Sequence, residues 1–151
     1  MKKFRFKLQT VLDVKEKKEE MLRNELMKLQ ALKLEQEQLR EAINEEKKNA
    51  AHERSKESGT GCDITRLRQF EEYISSLLGR ITRTEDRIRE LQAEADAKRV
   101  EVIKASKETK TFQRLKERHF EVFKKTVLDN EQKQLDEIAI NKYNRKEQHN
   151  Y

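Results

Sequence analysis

The sequence predicts an all-α protein, two long helices forming an antiparallel coiled-coil hairpin, and three observations carry that expectation. The 151 residues include no proline and only three glycines, and the chain is dominated by Lys, Glu, Gln, Leu, Arg and Ala, all strong helix formers. Charged residues make up 42% and hydrophobic residues 34%, too little apolar material for a multilayer core but enough for one thin seam. Apolar residues recur at a sustained 3.5-residue spacing, which disorder, the competing reading of so polar a chain, does not require.

Helix one is expected over about residues 5–58. Its seam runs through Leu22, Leu26, Leu29, Leu32, Gln36, Leu39 and Ile43, which advance by threes and fours and cover 21 residues in six steps, the period of a coiled coil. Leu8, Val11 and Leu12 extend the stripe toward the start, with Lys15 and Lys18 or Glu19 interrupting it. The hairpin turn falls at 59–63. Gly59 and Gly61 punctuate the chain there, and Asp63 is the expected N-cap of the second helix, since its carboxylate can accept from free amides of the following turn.

Helix two is expected over about residues 64–146. Leu67, Phe70, Ile74, Leu77, Ile81, Thr84, Ile88, Leu91, Ala95, Lys98, Val102, Ala105, Thr109 and Phe112 alternate three and four throughout, and eleven of the fourteen are apolar. The spacing breaks near Lys116 and resumes on a shifted stripe at Phe120, Phe123 and Val127, as in a stutter. Gly79 lies off the seam and costs about 1 kcal/mol relative to alanine in a helix interior. A turn this short makes the helices antiparallel, each seam covering the other. The chain thus reads as a single hairpin over residues 1–151.

The helices are unequal, about 80 Å against about 125 Å at 1.5 Å per residue, so little of helix one is left to cover the residues beyond Arg118. Phe120, Phe123, Val127, Leu128, Leu135, Ile138 and Ile140 therefore have no partner that the hairpin itself implies. Either Phe4 and Phe6 fold back on them, or two hairpins dimerise through them, or they form a docking tip, an amphipathic helix offered to a groove or cavity. From Lys98 to Lys125 ten Lys or Arg face four Glu. That excess suits an acidic protein channel, a nucleic-acid backbone or anionic lipid. Nucleic acid is disfavoured, because interspersed glutamates repel phosphate and no stacking platform of aromatics is present. Near the turn, Tyr73 and Leu78 sit off the strict stripe and are candidates for a second contact surface.

No catalytic site is expected. Carboxylates decorate helix surfaces throughout, no glycine-rich phosphate loop exists, and a two-helix protein offers no water-excluded pocket in which to shift pKa values. His52, His119 and His149 are far apart, and Cys62 is the single cysteine, so neither metal, cofactor nor internal disulfide is expected and a reducing compartment fits. The alternation of charged and apolar residues from Lys2 to Lys7 is neither signal peptide nor anchor, and no apolar run approaches the ~20 residues of a membrane span. The expectation is a soluble cytoplasmic protein with no direct membrane insertion.

The chain ends carry more specific patterns. The opening Phe4, Phe6, Leu8, Gln9, Val11, Leu12, Asp13 and the closing Glu131, Gln132, Lys133, Leu135, Asp136, Glu137, Ile138 resemble the two terminal signatures of the FliJ family of flagellar type III export proteins. The resemblance implies a non-enzymatic, stalk-like subunit similar to the two-helix shaft of the rotary ATP synthase γ subunit. Its terminal end would engage the hexameric export ATPase and promote ring assembly. Another surface would contact the membrane-embedded export gate, and export chaperones would be further partners. It implies a chain that is monomeric when free and held at the cytoplasmic face of the inner membrane through the export apparatus. Gln9, Leu12, Asp13, Gln132, Leu135, Asp136 and Glu137 carry over as signature residues, which with Phe120, Phe123 and Val127 make the candidate ATPase-ring contact. Tyr73 and Leu78 make the candidate gate or chaperone contact. The alternative is a homodimeric coiled-coil scaffold or adaptor.

Overall fold

The computed structural model describes residues 3–61 and 63–148, the side chains of 144–148 excepted. Cys62 and His149 lie outside the described residues. Two helices account for nearly all of these residues, α1 (Gln9–Gly59) and α2 (Ile64–Gln148). The chain divides into two compact units, a terminal unit of Met1–Lys18 with Ala105–Tyr151 and a turn unit of Glu19–Lys104. In each, a stretch of α1 packs antiparallel on a stretch of α2, and the fold is all-α.

Helix α1 starts at Gln9, later than the expected residue 5, because Lys3 to Phe6 form no helix. Lys3, Arg5 and Lys7 are exposed, Phe4 is half-buried and Phe6 is buried. A period of two puts successive side chains on opposite sides of an extended segment. Helix geometry would separate Phe4 from Phe6 by about 200° and forbid both from facing α2. The helix is then initiated by backbone bonds from Gln9 to the Phe6 carbonyl (3.2 Å) and from Leu12 to the Leu8 carbonyl (3.0 Å).

At the other end of α1, the Thr60 amide and hydroxyl both donate to the Glu57 carbonyl, at 3.1 and 3.0 Å. Gly61 then adopts φ of 83°, a left-handed conformation that glycine reaches without steric cost. The Asp63 carbonyl accepts from Arg66 and Leu67, and its carboxylate Oδ1 accepts from the Thr65 amide at 3.4 Å. This satisfies donors that the helix start leaves free.

In the turn unit, Ile43, Ala50, Leu77 and Ile81 form a buried cluster with Ile74 packed against it. All fourteen positions expected in the α2 seam are buried or half-buried. The α1 seam differs from expectation at two of seven positions. Leu32 and Leu39 are 45% and 43% exposed, and the neighbouring Lys33 and Arg40 are half-buried in their stead. The physical reason is phase. After Leu26 and Leu29 a stripe that alternates strictly must step by four, to Lys33, and α1 can stay in phase with the strictly alternating α2 only by doing so. Long basic side chains tolerate these places because their aliphatic stems cover apolar surface while the charge reaches water.

Polar groups in the seam are satisfied. Thr84 and Thr109 are buried, and their hydroxyls donate to the carbonyls of Arg80 (2.9 Å) and Ala105 (3.0 Å) one turn back. Half-buried Lys98 reaches across to Glu25 at 3.0 Å and along its own helix to Glu101 at 3.0 Å. Those two hydrogen bonds, Glu25 first, hold its ammonium above the usual lysine value. The stabilisation is therefore complete below the ordinary lysine pKa and is lost as pH rises through the raised one. A Cβ added at Gly79 meets nothing within 4 Å, so no packing requirement explains that glycine.

Candidate docking surface at the chain ends

In the terminal unit, the residues singled out at the two ends of the sequence divide into those that are packed and those left bare. Leu12 is 2% exposed and is part of the core with Phe6, Ala105 and Thr109. Leu8 and Val11, at 37% and 39%, are only marginally covered. Lys15, expected to break the stripe, is half-buried and bonds Glu108 of α2 at 2.7 Å, while Gln113 donates to Glu16 at 3.0 Å.

The extended segment before α1 supplies what the sequence left open. The ring of Phe4 meets Phe120 edge-on at 5.1 Å and Phe123 at 5.6 Å, and Phe6 meets His119 edge-on at 5.6 Å. These are favourable geometries for the ring quadrupoles. Of the three alternatives left open for the residues beyond Arg118, Phe120 and Phe123 thus take the first, a fold-back of Phe4 onto them. Phe120 stays 39% exposed and Lys124 Nζ lies 4.7 Å from its ring centroid, within cation–π range. Between Phe4, Leu12, Glu16, Gln113, Lys116 and Phe120 lies an open depression of about 500 Å³. Phe4, Phe6, Lys116 and His119 are not among the candidate site residues that the sequence suggests. The alternation over residues 3–7 is the signal that points to the first two.

Beyond Val127, which is half-buried, every described side chain from Leu128 to Tyr143 is exposed. Among them Leu128, Leu135, Ile138 and Ile140 are 64%, 62%, 61% and 59% exposed. Phe120, Val127, Leu128, Leu135 and Ile138 fall within a stripe about 100° wide when placed on a helix of 3.6 residues per turn. Gln132, Asp136 and Glu137 are exposed; Gln132 lies beside the stripe, while Asp136 and Glu137 each lie about 130° from its midline, on opposite sides. The two terminal signatures share a local device: Gln9 donates to Asp13 at 2.7 Å and Gln132 to Asp136 at 2.9 Å, each with a leucine before the aspartate. The first leucine is packed and the second, Leu135, is bare.

Tyr73 and Leu78 belong to the turn unit. Tyr73 is 44% exposed and Leu78 49%, and five residues apart on a helix they point about 140° from each other, so they do not form one patch. The Tyr73 hydroxyl donates to the Glu46 carboxylate, whose other oxygen lies 3.6 Å from Arg80. The hydrogen bond to this carboxylate holds the phenol above its ordinary pKa.

Among the described residues no cluster of His, Cys, Asp or Glu could hold a metal ion, and no helix is long and apolar enough to cross a membrane. A family model described as flagellar FliJ protein matches residues 4–148. The chain belongs to the FliJ family. The match runs from Phe4, the first ring of the extended segment, to the end of α2, so it takes in both terminal signatures. Comparison with curated proteins and with solved structures returned no match. FliJ proteins are components of the flagellar export apparatus rather than a family of enzymes, and the exposed stripe of this member is a surface that such a component can offer to a partner.

Proposed function

We propose that this FliJ-family chain binds the hexameric export ATPase ring through its terminal unit, promotes assembly of the ring and couples it to the membrane-embedded export gate, without catalysing a reaction itself. The observation that carries the reading is the bare stripe after Val127: a folded helix displays Leu128, Leu135 and Ile138 with no segment of α1 against them. An amphipathic helix of this kind fits a groove or ring cavity through anchors spaced by three, four and seven residues. The contact set is Gln9, Asp13, Phe120, Val127, Gln132, Leu135, Asp136 and Glu137, with Leu12 and Phe123 supporting it from within the packed part. Tyr73 and Leu78, on separate faces near the turn, serve the gate and the export chaperones separately. The protein is held at the cytoplasmic face of the inner membrane through these partners.

The test mixes the purified chain with the export ATPase of its own organism and measures hydrolysis and ring formation. Because Phe123 packs on Phe4, the informative variant is Leu135→Asp with Ile138→Asp, which alters exposed residues only. We expect wild type to stimulate hydrolysis and the double variant to lose the stimulation while keeping its helicity and melting temperature. Absence of stimulation by folded wild type would refute the ring-binding reading.

A further inference from the structure

On the terminal unit, Lys107, Lys110, Arg114, Arg118 and Lys125 are all exposed. Steps of three, four, four and seven residues keep them on one face of α2, within about 80° of each other. That face lies opposite the seam positions Ala105, Thr109 and Phe112, so α1 does not screen it. Its midline lies about 80° around the helix from that of the stripe of Leu128, Leu135 and Ile138. None of the five cations makes an ion pair with a carboxylate among the described residues, in contrast to Lys15, Lys98, Arg99 and Lys124. Val122, 64% exposed, stands between Arg118 and Lys125 in sequence and about 40° beyond the edge of the row, on the shoulder away from Glu117.

We infer that this row docks the protein directly on an anionic lipid surface. Five unneutralised cations along about 27 Å of one straight face match a plane of negative charge, in which each basic residue gains attraction from the surface potential. The exposed valine can enter the interfacial region. The flanks of the row decide the shape of the partner. Glu121 lies within the row and is paired with Lys124 at 3.2 Å, Glu117 stands at the edge of the row, and α1 stands behind it. A nucleic-acid groove wraps around a helix and would press phosphates against Glu117 and toward α1, whereas a plane touches the outward face alone, where the charge of Glu121 is offset by Lys124. No aromatic residue stands in the row between Lys107 and Lys125 to stack on a base. The contact is peripheral and independent of the ATPase and the gate, so it survives or fails separately from the ring reading.

The experiment is co-sedimentation of the full chain with vesicles of phosphatidylcholine alone and of phosphatidylcholine with about one-third phosphatidylglycerol, at low and at physiological ionic strength. Three variants of unchanged helicity complete it: Lys110→Glu with Arg114→Glu and Arg118→Glu; Val122→Ser; and Lys28→Glu with Arg68→Glu and Arg83→Glu, which shifts net charge equally at exposed sites in the turn unit. We expect binding to the phosphatidylglycerol vesicles only, a loss of about tenfold or more in the first variant, and near wild-type binding in the third. Val122→Ser should weaken binding most at physiological ionic strength, where charge is screened. No binding by wild type overturns the proposal. Equal loss in both charge-reversed variants overturns it by reducing the effect to net charge. Displacement from the vesicles by duplex or single-stranded nucleic acid, with Val122→Ser silent, overturns it in favour of a nucleic-acid partner.

Discussion

Leu12 and Leu135 stand in the same local sequence, three residues after a glutamine that bonds the following aspartate, and tertiary packing gives them opposite environments. Leu12 is 2% exposed and Leu135 62%. Truncating the first leaves a cavity in the terminal core and truncating the second removes surface already in water. Leu12→Ala is expected to cost about 2–5 kcal/mol, and Leu135→Ala to stay within about 0.5 kcal/mol, both by urea denaturation monitored by circular dichroism. Similar losses for the two would mean that Leu135 is packed in solution, and the bare stripe would not exist. The sequence marks both leucines as signature positions but not which is core, because helical periodicity names a face and not what covers it. What covers Leu12 is decided by α2 residues about a hundred positions away.

Each element is legible to a different depth. The α2 seam can be read throughout, since its strict three-four alternation admits one phase. In α1, between Leu29 and Ile43 two paths have the same mean period, one through Leu32 and Leu39 and one through Lys33 and Arg40, and hydrophobicity favours the wrong one. Only the requirement to stay in phase with α2 selects the second. Substituting Lys33→Leu and Arg40→Leu should therefore stabilise the turn unit by about 1 kcal/mol each, because apolar side chains replace charged ones at half-buried seam positions. The i,i+4 pair of Lys33 with Glu37 at 3.3 Å gives up only about 0.5 kcal/mol. Leu32→Ala and Leu39→Ala should each cost about 1 kcal/mol or less. Denaturation midpoints check both, and the reverse ranking would restore the path through the leucines. The extended segment before α1 is ambiguous for a related reason: the two-residue alternation that excludes a targeting signal equally describes a strand-like strap with two inward rings, and only the packing of Phe4 and Phe6 on α2 reveals the strap.

Over the whole chain the charge is divided unevenly. The terminal unit holds 18 Lys or Arg against 10 Asp or Glu, and the turn unit 17 against 19, so the first carries the entire excess of +6 and more. Family membership is legible at this scale because the end patterns are specific where the middle is generic coiled coil. What the bare stripe binds is not, since an apolar stripe fits a ring, a groove or a second copy alike. Charge separates these. Two copies joined through Leu128, Leu135 and Ile138 would bring two strongly basic units together, and at low salt little screens that repulsion within a Debye length of about 10 Å or more. A ring partner of acidic surface gains from the same charge. The free chain should accordingly sediment as an 18.2 kDa monomer at low ionic strength, and any self-association should grow only as salt is added. A dimer stable at low salt, with Leu135 and Ile138 protected from hydrogen exchange in their segment, would show that a second copy covers the stripe despite the repulsion. The homodimeric scaffold would then displace the ring-binding reading.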